Sequence, residues 1–351
     1  MRMKNPYTQL MEKAWNHARA HGAVHRPALF PYEETVLCGE VPLGELQAEG
    51  VRVVPWTVNS TERMRALLLM EVDGIISDRP DLLQQVLKQE RDTRRFDVAG
   101  HRGARGLRPE NTLPAFEAGL DALCASLETD IGVTADGVPL LSHDQFLSPE
   151  SCRRVDGLPY TLADKVYVRD ISCADAQRMF VCDRLHFGPE QRNDLSLSPV
   201  SDAFAAQEGL ISPYSVVHLE KLFRFVGFYE DYYGCGAGTG HPQAAERAAN
   251  ARRVRFKVET KILPENISIP EDIRDPHHDA NHTAEPQEFV DALYGAVVRS
   301  RMQSRVEVLS FDFRTLLLLQ EQHPEIAACY LTGNGKMLSS EFVPEPLRAA
   351  E

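Results

Sequence analysis

Eight short, β-branched runs separated by amphipathic stretches of helical length constrain this chain more than any other feature, because parallel strands require such crossovers. "AVHRPALF", "VRVVPWTV" and "DGIISD" precede Arg91; "FDVAGHRG", "SLETDIGV", "VRFKVETK", "VEVLSFD" and "IAACYL" follow Arg95. A further run, "VPLLSHD", comes after the turn "ADG", which is too short for a crossover, so it should fold back as a hairpin. Helical patterns occupy residues 7–20, "LGELQAEG", residues 61–70, "DLLQQVLKQE", "NTLPAFEAGLDALC", "EPQEFVDALYGAVVRSRM" and "FRTLLLLQEQ". Ser60, followed by Glu62, is the expected N-cap of residues 61–70.

Three parallel strands plus five make eight, the number that closes a (β/α)8 TIM barrel, and 351 residues leave room for an insertion. The insertion is expected at residues 145–253, after the second barrel strand, where serines, prolines and the loop "GCGAGTGHP" break the alternation. Residues 1–90, 96–144 and 254–332 would then form one barrel domain, with an irregular tail beyond Gly333.

A formal net charge of -13 disfavours a nucleic-acid partner, since phosphate-backbone binders concentrate Lys and Arg. No run approaches a membrane span, and "MRMKNPYTQLMEKAW" lacks the apolar core of a secretory signal, which makes a cytoplasmic location the expectation, with a periplasmic or secreted one left open. Cys38, Cys124 and Cys329 are expected as free thiols. Cys152, Cys173, Cys182 and Cys235 fall in the insertion and would pair only in an oxidising compartment, which no CxxC spacing or export signal supports.

The chemistry should gather where strands end. "AGHR" ends in His101 and Arg102, "LETD" in Glu128 and Asp130, "LSHD" in His143 and Asp144, and "KVETK" in Glu259 and Lys261. In a parallel barrel the downstream strand ends converge on one face, and Glu128 and Asp130, two apart, share a side of their strand. Two carboxylates about 4 Å apart repel by on the order of 4 kcal/mol at an effective dielectric near 20. A cation is expected between them, and oxygen-only donors favour Mg²⁺ or Ca²⁺.

"HRGARGLRPENTLPAFEAGLDALCASLETDIGVTADGVPLLSHD" resembles the signature region of the glycerophosphodiester phosphodiesterase family, with its His-Arg-Gly loop, Pro-Glu-Asn-Thr helix start, Glu-x-Asp and His-Asp. "KVETK", "VLSFD", "WTVN" and "DGIISDRP" resemble that family's later strands. The resemblance implies a TIM barrel that hydrolyses small glycerophosphodiesters to glycerol 3-phosphate and an alcohol. It further implies that Glu128, Asp130 and Glu259 bind the divalent metal, that His101 and His143 are the acid/base pair, and that Arg102 and Lys261 neutralise the phosphate. A lyase that stops at a cyclic phosphate and a noncatalytic binding protein on the same barrel are the competing readings.

Glu110 either caps a helix or joins the chemistry, and Trp56 either lines the mouth as a substrate platform or belongs to the core. "DPHHDANH", with His277, His278, Asp279 and His282, is expected as a solvated loop rather than a second metal site. In the family the "WTVN" and "DGI" strands close the barrel, whereas here they precede the "HRG" strand, so the expected barrel is circularly permuted, cut between the fifth strand and its helix. Exchange of the N-terminal block in a homodimer is the alternative. A permuted barrel places "DGIISD" beside "DVAGH" within one chain.

Overall fold

The computed structural model describes residues 4–91, 94–262, 281–341 and 343–350. Among the described residues ten strands appear in chain order: β1 (Ala28–Pro31), β2 (Gly74–Ser77), β3 (Asp97–Gly100), β4 (Ser126–Val133), β5 (Pro139–Leu141), β6 (Arg153–Arg154), β7 (Phe180–Val181), β8 (Arg255–Thr260), β9 (Val306–Ser310) and β10 (Ala327–Thr332). Parallel pairing runs β1-β10-β9-β8-β4-β3-β2, with β5 antiparallel on β4 as the short turn requires. "DGIISD" lies beside "DVAGH" in the same chain, with Gly74 opposite Asp97 and Ser77 opposite Gly100.

The ring is closed by residues 52–58. On one side Val54 N–H donates to Leu29 O (3.0 Å) and Trp56 N–H to Pro31 O (3.1 Å); on the other, Ile76 N–H donates to Pro55 O (3.0 Å) and Val58 N–H to Ile76 O (3.0 Å). These residues form isolated parallel bridges rather than the regular strand that "VRVVPWTV" suggests. Pro55 has no amide hydrogen and interrupts the ladder. The barrel is complete without a second chain.

Helices form the outer layer, and their ends follow local chemistry. Ser60 Oγ accepts from Arg63 N–H (3.1 Å) at the start of Thr61–Leu69. Thr112 and Asp312 cap Leu113–Asp121 and Phe313–Gln322 in the same way. The N-terminal helix, Pro6–Ala20, packs against the tail, where Tyr7 Oη donates to Gly333 O (3.1 Å) and Ala350 N–H to Gln9 Oε1 (2.9 Å). Among the described residues no helix is long and apolar enough to cross a membrane.

Residues 145–253 divide in two. Tyr160, Val168, Ile171, Phe180 and Cys182 form a small separate cluster with Leu140 and Leu147 around the β6–β7 hairpin. The helices Pro199–Glu208, Leu219–Gly234 and Ala244–Arg253 instead join the main core, and Phe223 packs against Phe256 on the outer face of β8 (4.8 Å between centroids). They supply the crossover layer between β4 and β8. Cys152 and Cys182 are disulfide-bonded, contrary to the expectation of thiols, because the antiparallel pairing of Arg153 with Val181 sets the two cysteines opposite each other. Cys38, Cys124, Cys173, Cys235 and Cys329 are free.

The barrel interior is layered. At the upstream end Lys257, fully buried, donates to Asp97 Oδ2 and Glu307 Oε2 (2.8 Å each), while Arg52 and Arg255 each bond Glu307 Oε1 (2.8 Å) and Ser126 Oγ bonds Asp97 Oδ1 (2.6 Å). Above lies an apolar layer of Ala28, Phe30, Val54, Ile76, Ala99, Leu309, Cys329 and Leu331. Although burial pushes the Asp97 and Glu307 carboxyls up, Lys257 and the arginines outweigh it and hold both below their ordinary range. Their contribution to stability is therefore complete above the unfolded carboxylate pKa of about 4 and is lost as pH falls through the folded values.

Lys257→Met should cost about 3–5 kcal/mol in urea denaturation, because two buried carboxylates lose their cation, and adding Asp97→Asn with Glu307→Gln should recover most of that loss. Asp97→Asn alone should flatten the acid limb of the stability profile below about pH 4.

Candidate active site

The alternation that buries Lys257 also turns Glu259 inward, two residues further along β8. On the neighbouring β4, Glu128 and Asp130 point the same way, and ligand oxygens of the three carboxylates lie within 4.8 Å of one another, all buried. Burial and repulsion from Asp130 and Glu259 push the Glu128 carboxyl well up. Burial likewise raises Glu259 to about 7, against the pull of Lys261. Asp130 is the exception: burial pushes it up, but Lys261 and Arg102 outweigh that and hold it far below its ordinary value. Asp130 Oδ1 is buried without a hydrogen bond. An oxygen-only donor set that is short of positive charge and has an orphaned oxygen suits a hard divalent cation.

Cations stand around the cluster. Lys261 Nζ is 2.7 Å from Glu259 Oε1 and 3.4 Å from Asp130 Oδ1. Arg102 Nη1 donates to Glu110 Oε1 (2.9 Å), its Nε is 3.3 Å from Asp130 Oδ2, and its backbone N–H donates to Glu128 Oε2 (2.7 Å). That grip holds Arg102 at φ 49°, in the left-handed region. The loop can lie this close to the following helix because the next residue is glycine: a Cβ on Gly103, at φ +86°, would sit 2.6 Å from the Ala115 carbonyl carbon.

The two histidines come from different elements, His101 from the end of β3 and His143 from the segment after β5. His101 Nδ1 is 2.6 Å from Asp78 Oδ1, which fixes the proton on Nδ1 and leaves Nε2, 3.9 Å from Glu128 Oε2, as the lone-pair atom. His143 Nδ1 is held in the same manner by Asp144 Oδ1 (2.8 Å). Burial lowers His101 to about 4, with Arg105 adding to it and Asp78 opposing. Burial, Arg102 and Lys261 take His143 well below its usual range. Both imidazoles are thus neutral around pH 7, each with Nε2 free to accept a proton.

Asp78 is absent from the sequence-derived set although it obeys the same rule, an ionisable residue at the downstream end of a strand. It also accepts from Arg105 Nε (2.6 Å) and Asn59 Nδ2 (2.5 Å). Asn111 Nδ2 donates to Asp130 Oδ2 (3.0 Å). Glu110 does not cap: Thr112 caps the helix, while Glu110 faces Arg102, Arg105 (3.6 Å) and His186 (3.9 Å), and the two arginines outweigh burial and hold it down to about 2. His186 comes from the insertion, and no local pattern marks it.

Trp56 stands at the top of the apolar layer, with Nε1 donating to Phe30 O (2.8 Å) and its ring against Phe311 (5.3 Å) and Tyr32 (5.6 Å). Its polar atom is committed to the core, and only ring surface is left for the mouth. His282 pairs with Asp170 (2.9 Å) and packs against Tyr167; His277, His278 and Asp279 lie outside the described residues.

A family model described as the glycerophosphoryl diester phosphodiesterase family matches residues 2–82 and 101–344. A mouse glycerophosphoinositol inositolphosphodiesterase is 37% identical over 84 residues, which cover 23% of this chain and only 15% of the mouse protein. A solved structure from Silicibacter pomeroyi, provisionally described as a glycerophosphoryl diester phosphodiesterase, is 26% identical over 72% of this chain and 68% of its own, with a TM-score of 0.45. An Oleispira antarctica phosphodiesterase solved with sn-glycerol 3-phosphate is 17% identical, covering 66% and 64%, with a TM-score of 0.37.

Asp78→Ala should remove the constraint on His101. ¹⁵N imidazole NMR, with His101→Gln to assign the signal, should show one Nδ1–H tautomer in the wild type and a mixture in the variant; an unchanged tautomer would take this role from Asp78.

Proposed function

Because the chain belongs to the glycerophosphoryl diester phosphodiesterase family, we propose that it hydrolyses glycerophosphodiesters to glycerol 3-phosphate and an alcohol. The observation that carries this reading is the arrangement of two imidazoles, each pinned through Nδ1 by a carboxylate, around one buried cluster of three acids. Glu128, Asp130 and Glu259 would hold a divalent ion, Mg²⁺ or Ca²⁺, which when bound supplies Lewis-acid polarisation of a nonbridging phosphate oxygen worth several kcal/mol.

The chain's own groups do the rest. Arg102 is buried, yet Glu110 and Asp130 raise its pKa and keep it charged, so it can share charge that develops on the phosphoryl oxygens. Lys261 does the same from the β8 side. One neutral imidazole takes a proton at Nε2 from the nucleophile, either water or the glycerol 2-hydroxyl. The other, protonated once an anionic ester raises its pKa, gives a proton to the leaving oxygen. A 2-hydroxyl route passes through a cyclic phosphate that water must then open.

We further read the strand order as a circular permutation of the family barrel. The family match in two stretches and the meeting of Ala350 with Gln9 support this. The Cys152–Cys182 bridge favours an oxidising compartment over the cytoplasmic location suggested by the sequence.

³¹P NMR of glycerophosphocholine and glycerophosphoinositol with the enzyme should show glycerol 3-phosphate forming, should stop with EDTA, and should slow by about 10²- to 10⁴-fold in His101→Ala or His143→Ala. A cyclic ester that persists would make the protein a lyase, and activity indifferent to chelation would remove the metal. For the permutation, joining Ala350 to Lys4 by a short linker and opening the chain between Arg91 and Arg94 should give an enzyme of unchanged activity. A chain that folds only in its present order would refute that reading.

A further inference from the structure

Among the described residues of the candidate active site, three buried side-chain atoms lack a hydrogen-bond partner: Asp130 Oδ1, Arg102 Nε and Glu110 Oε2. The first belongs to the cluster that would hold the metal, and the second faces where a phosphate would lie. Glu110 Oε2 is left over. Its sister oxygen is taken by Arg102 Nη1 (2.9 Å), while Arg105 Nη1 at 3.6 Å and His186 Nε2 at 3.9 Å both stand beyond hydrogen-bond distance of Oε2. An ionised carboxylate only accepts, so this oxygen awaits a donor.

The surrounding charges decide what kind of donor fits. Arg102 and Arg105 already bring two positive charges to the single negative one of Glu110, so an ammonium group would enter against like charge. A second phosphate or carboxylate oxygen has no proton to give. A neutral hydroxyl meets neither objection, and an oxygen about 2.8 Å from both Glu110 Oε2 and His186 Nε2 is compatible with their 3.9 Å spacing. Such a hydroxyl gives its proton to Glu110 and accepts one from the imidazole.

The position is suited to a substrate group beside the ester. Arg102 reaches from Glu110 to Asp130, so the pair lies one guanidinium away from the acid cluster, and Glu110 also lines the cleft that holds His143, Asp144 and Ser148. The His186 ring, with 24% of its side chain exposed, can turn to admit a hydroxyl. Its backbone stays fixed, because Gln191 Oε1 accepts from the N–H groups of His186 (3.0 Å) and Phe187 (3.3 Å). Replacing the ring therefore leaves the loop anchored.

We propose that Glu110 and His186 bind a hydroxyl next to the scissile ester and make the enzyme selective for substrates that carry a polyol there, an inference that rests on the phosphodiesterase reading. The hydroxyl can belong to the glycerol end or to a polyol alcohol such as inositol; the recognition is the same.

Calorimetric titration in Mg²⁺ with glycerol 3-phosphate, inositol 1-phosphate and methyl phosphate should show at least one polyol phosphate binding about tenfold or more tighter than methyl phosphate, which has no hydroxyl to offer. His186→Ala should reduce that preference to roughly twofold or less, and His186→Gln, whose amide can donate in place of Nε2, should keep most of it. No preference in the wild type, a preference unmoved by His186→Ala, or equal loss in His186→Gln would each overturn the proposal. Hydrolysis followed by ³¹P NMR separates the two sources. A fall in kcat/KM of about tenfold in His186→Ala with both glycerophosphocholine and glycerophosphoinositol assigns the hydroxyl to glycerol, and a fall confined to the inositol diester assigns it to the alcohol. A fall confined to the choline diester would overturn the proposal. Hydrolysis with a preference that does not depend on His186 leaves the phosphodiesterase reading standing; a preference that depends on His186 in a protein that hydrolyses neither diester would do the reverse.

Discussion

A closed parallel barrel is filled by side chains rather than by bulk solvent, so a charge that points inward is costly unless groups within the ring answer it. β8 puts that constraint on one strand. Arg255, Lys257, Glu259 and Lys261 alternate with Phe256, Val258 and Thr260, so one face of "RFKVETK" carries four charges and the other packs outward against helices. At the upstream end Lys257 is answered by Asp97 from β3 and Glu307 from β9; at the downstream end Glu259 and Lys261 meet Glu128 and Asp130 from β4. In the lower cluster Arg52, Arg255 and Lys257 outnumber Asp97 and Glu307, whereas in the upper one Glu128, Asp130 and Glu259 outnumber Arg102 and Lys261; an excess of buried carboxylates distinguishes a site prepared to receive a cation from a structural plug.

The site also depends on ring closure. Asp78, which orients His101, and Asn59, which donates to the Asp78 carboxylate, come from the block before the Arg91 linker, while His101, Arg102 and all three clustered acids come after it. Only when β2 lies beside β3 is the Asp78 carboxylate in place to fix the His101 tautomer and to join Glu110 in neutralising Arg105. The order in which the strands occur along the chain is immaterial to this chemistry; what counts is which strand ends are neighbours once the sheet has curled shut.

Much of this was legible because period-two burial is a local signal. Glu128 and Asp130, or Lys257 and Glu259, can be placed on one face by counting, and the hairpin at "ADG" follows from the length of the turn. Asp78 obeys the same rule, an ionisable residue at the downstream end of "DGIISD". Pro55 shows the opposite case, where a hydrophobic run promised a strand and one missing amide hydrogen left only bridges. What could not be read were contacts made across long sequence separations. The main-core role of Leu219–Gly234 depends on Phe256, and the pairing of Cys152 with Cys182 depends on the hairpin between them.

The insertion shows why such contacts matter for function. Its small apolar cluster is too slight to fix a loop by burial alone, and the disulfide supplies the missing constraint where the chain passes the cleft beside His143. From Cys182 the chain runs to His186, which faces Glu110, and to Gln191, whose buried amide donates to the carbonyls of both Arg105 and Arg108 (2.9 and 3.1 Å). Phe187 lies against the Arg105 guanidinium, 4.0 Å from ring centroid to carbon. The loop that carries His101 and Arg102 is therefore held from inside the barrel by Glu128 and Asp78 and from outside by the insertion. In the proposed reaction an imidazole must place Nε2 to within a fraction of an ångström of a reacting oxygen, and that precision needs both supports, since a side chain fixed from one side only would still be free to swing.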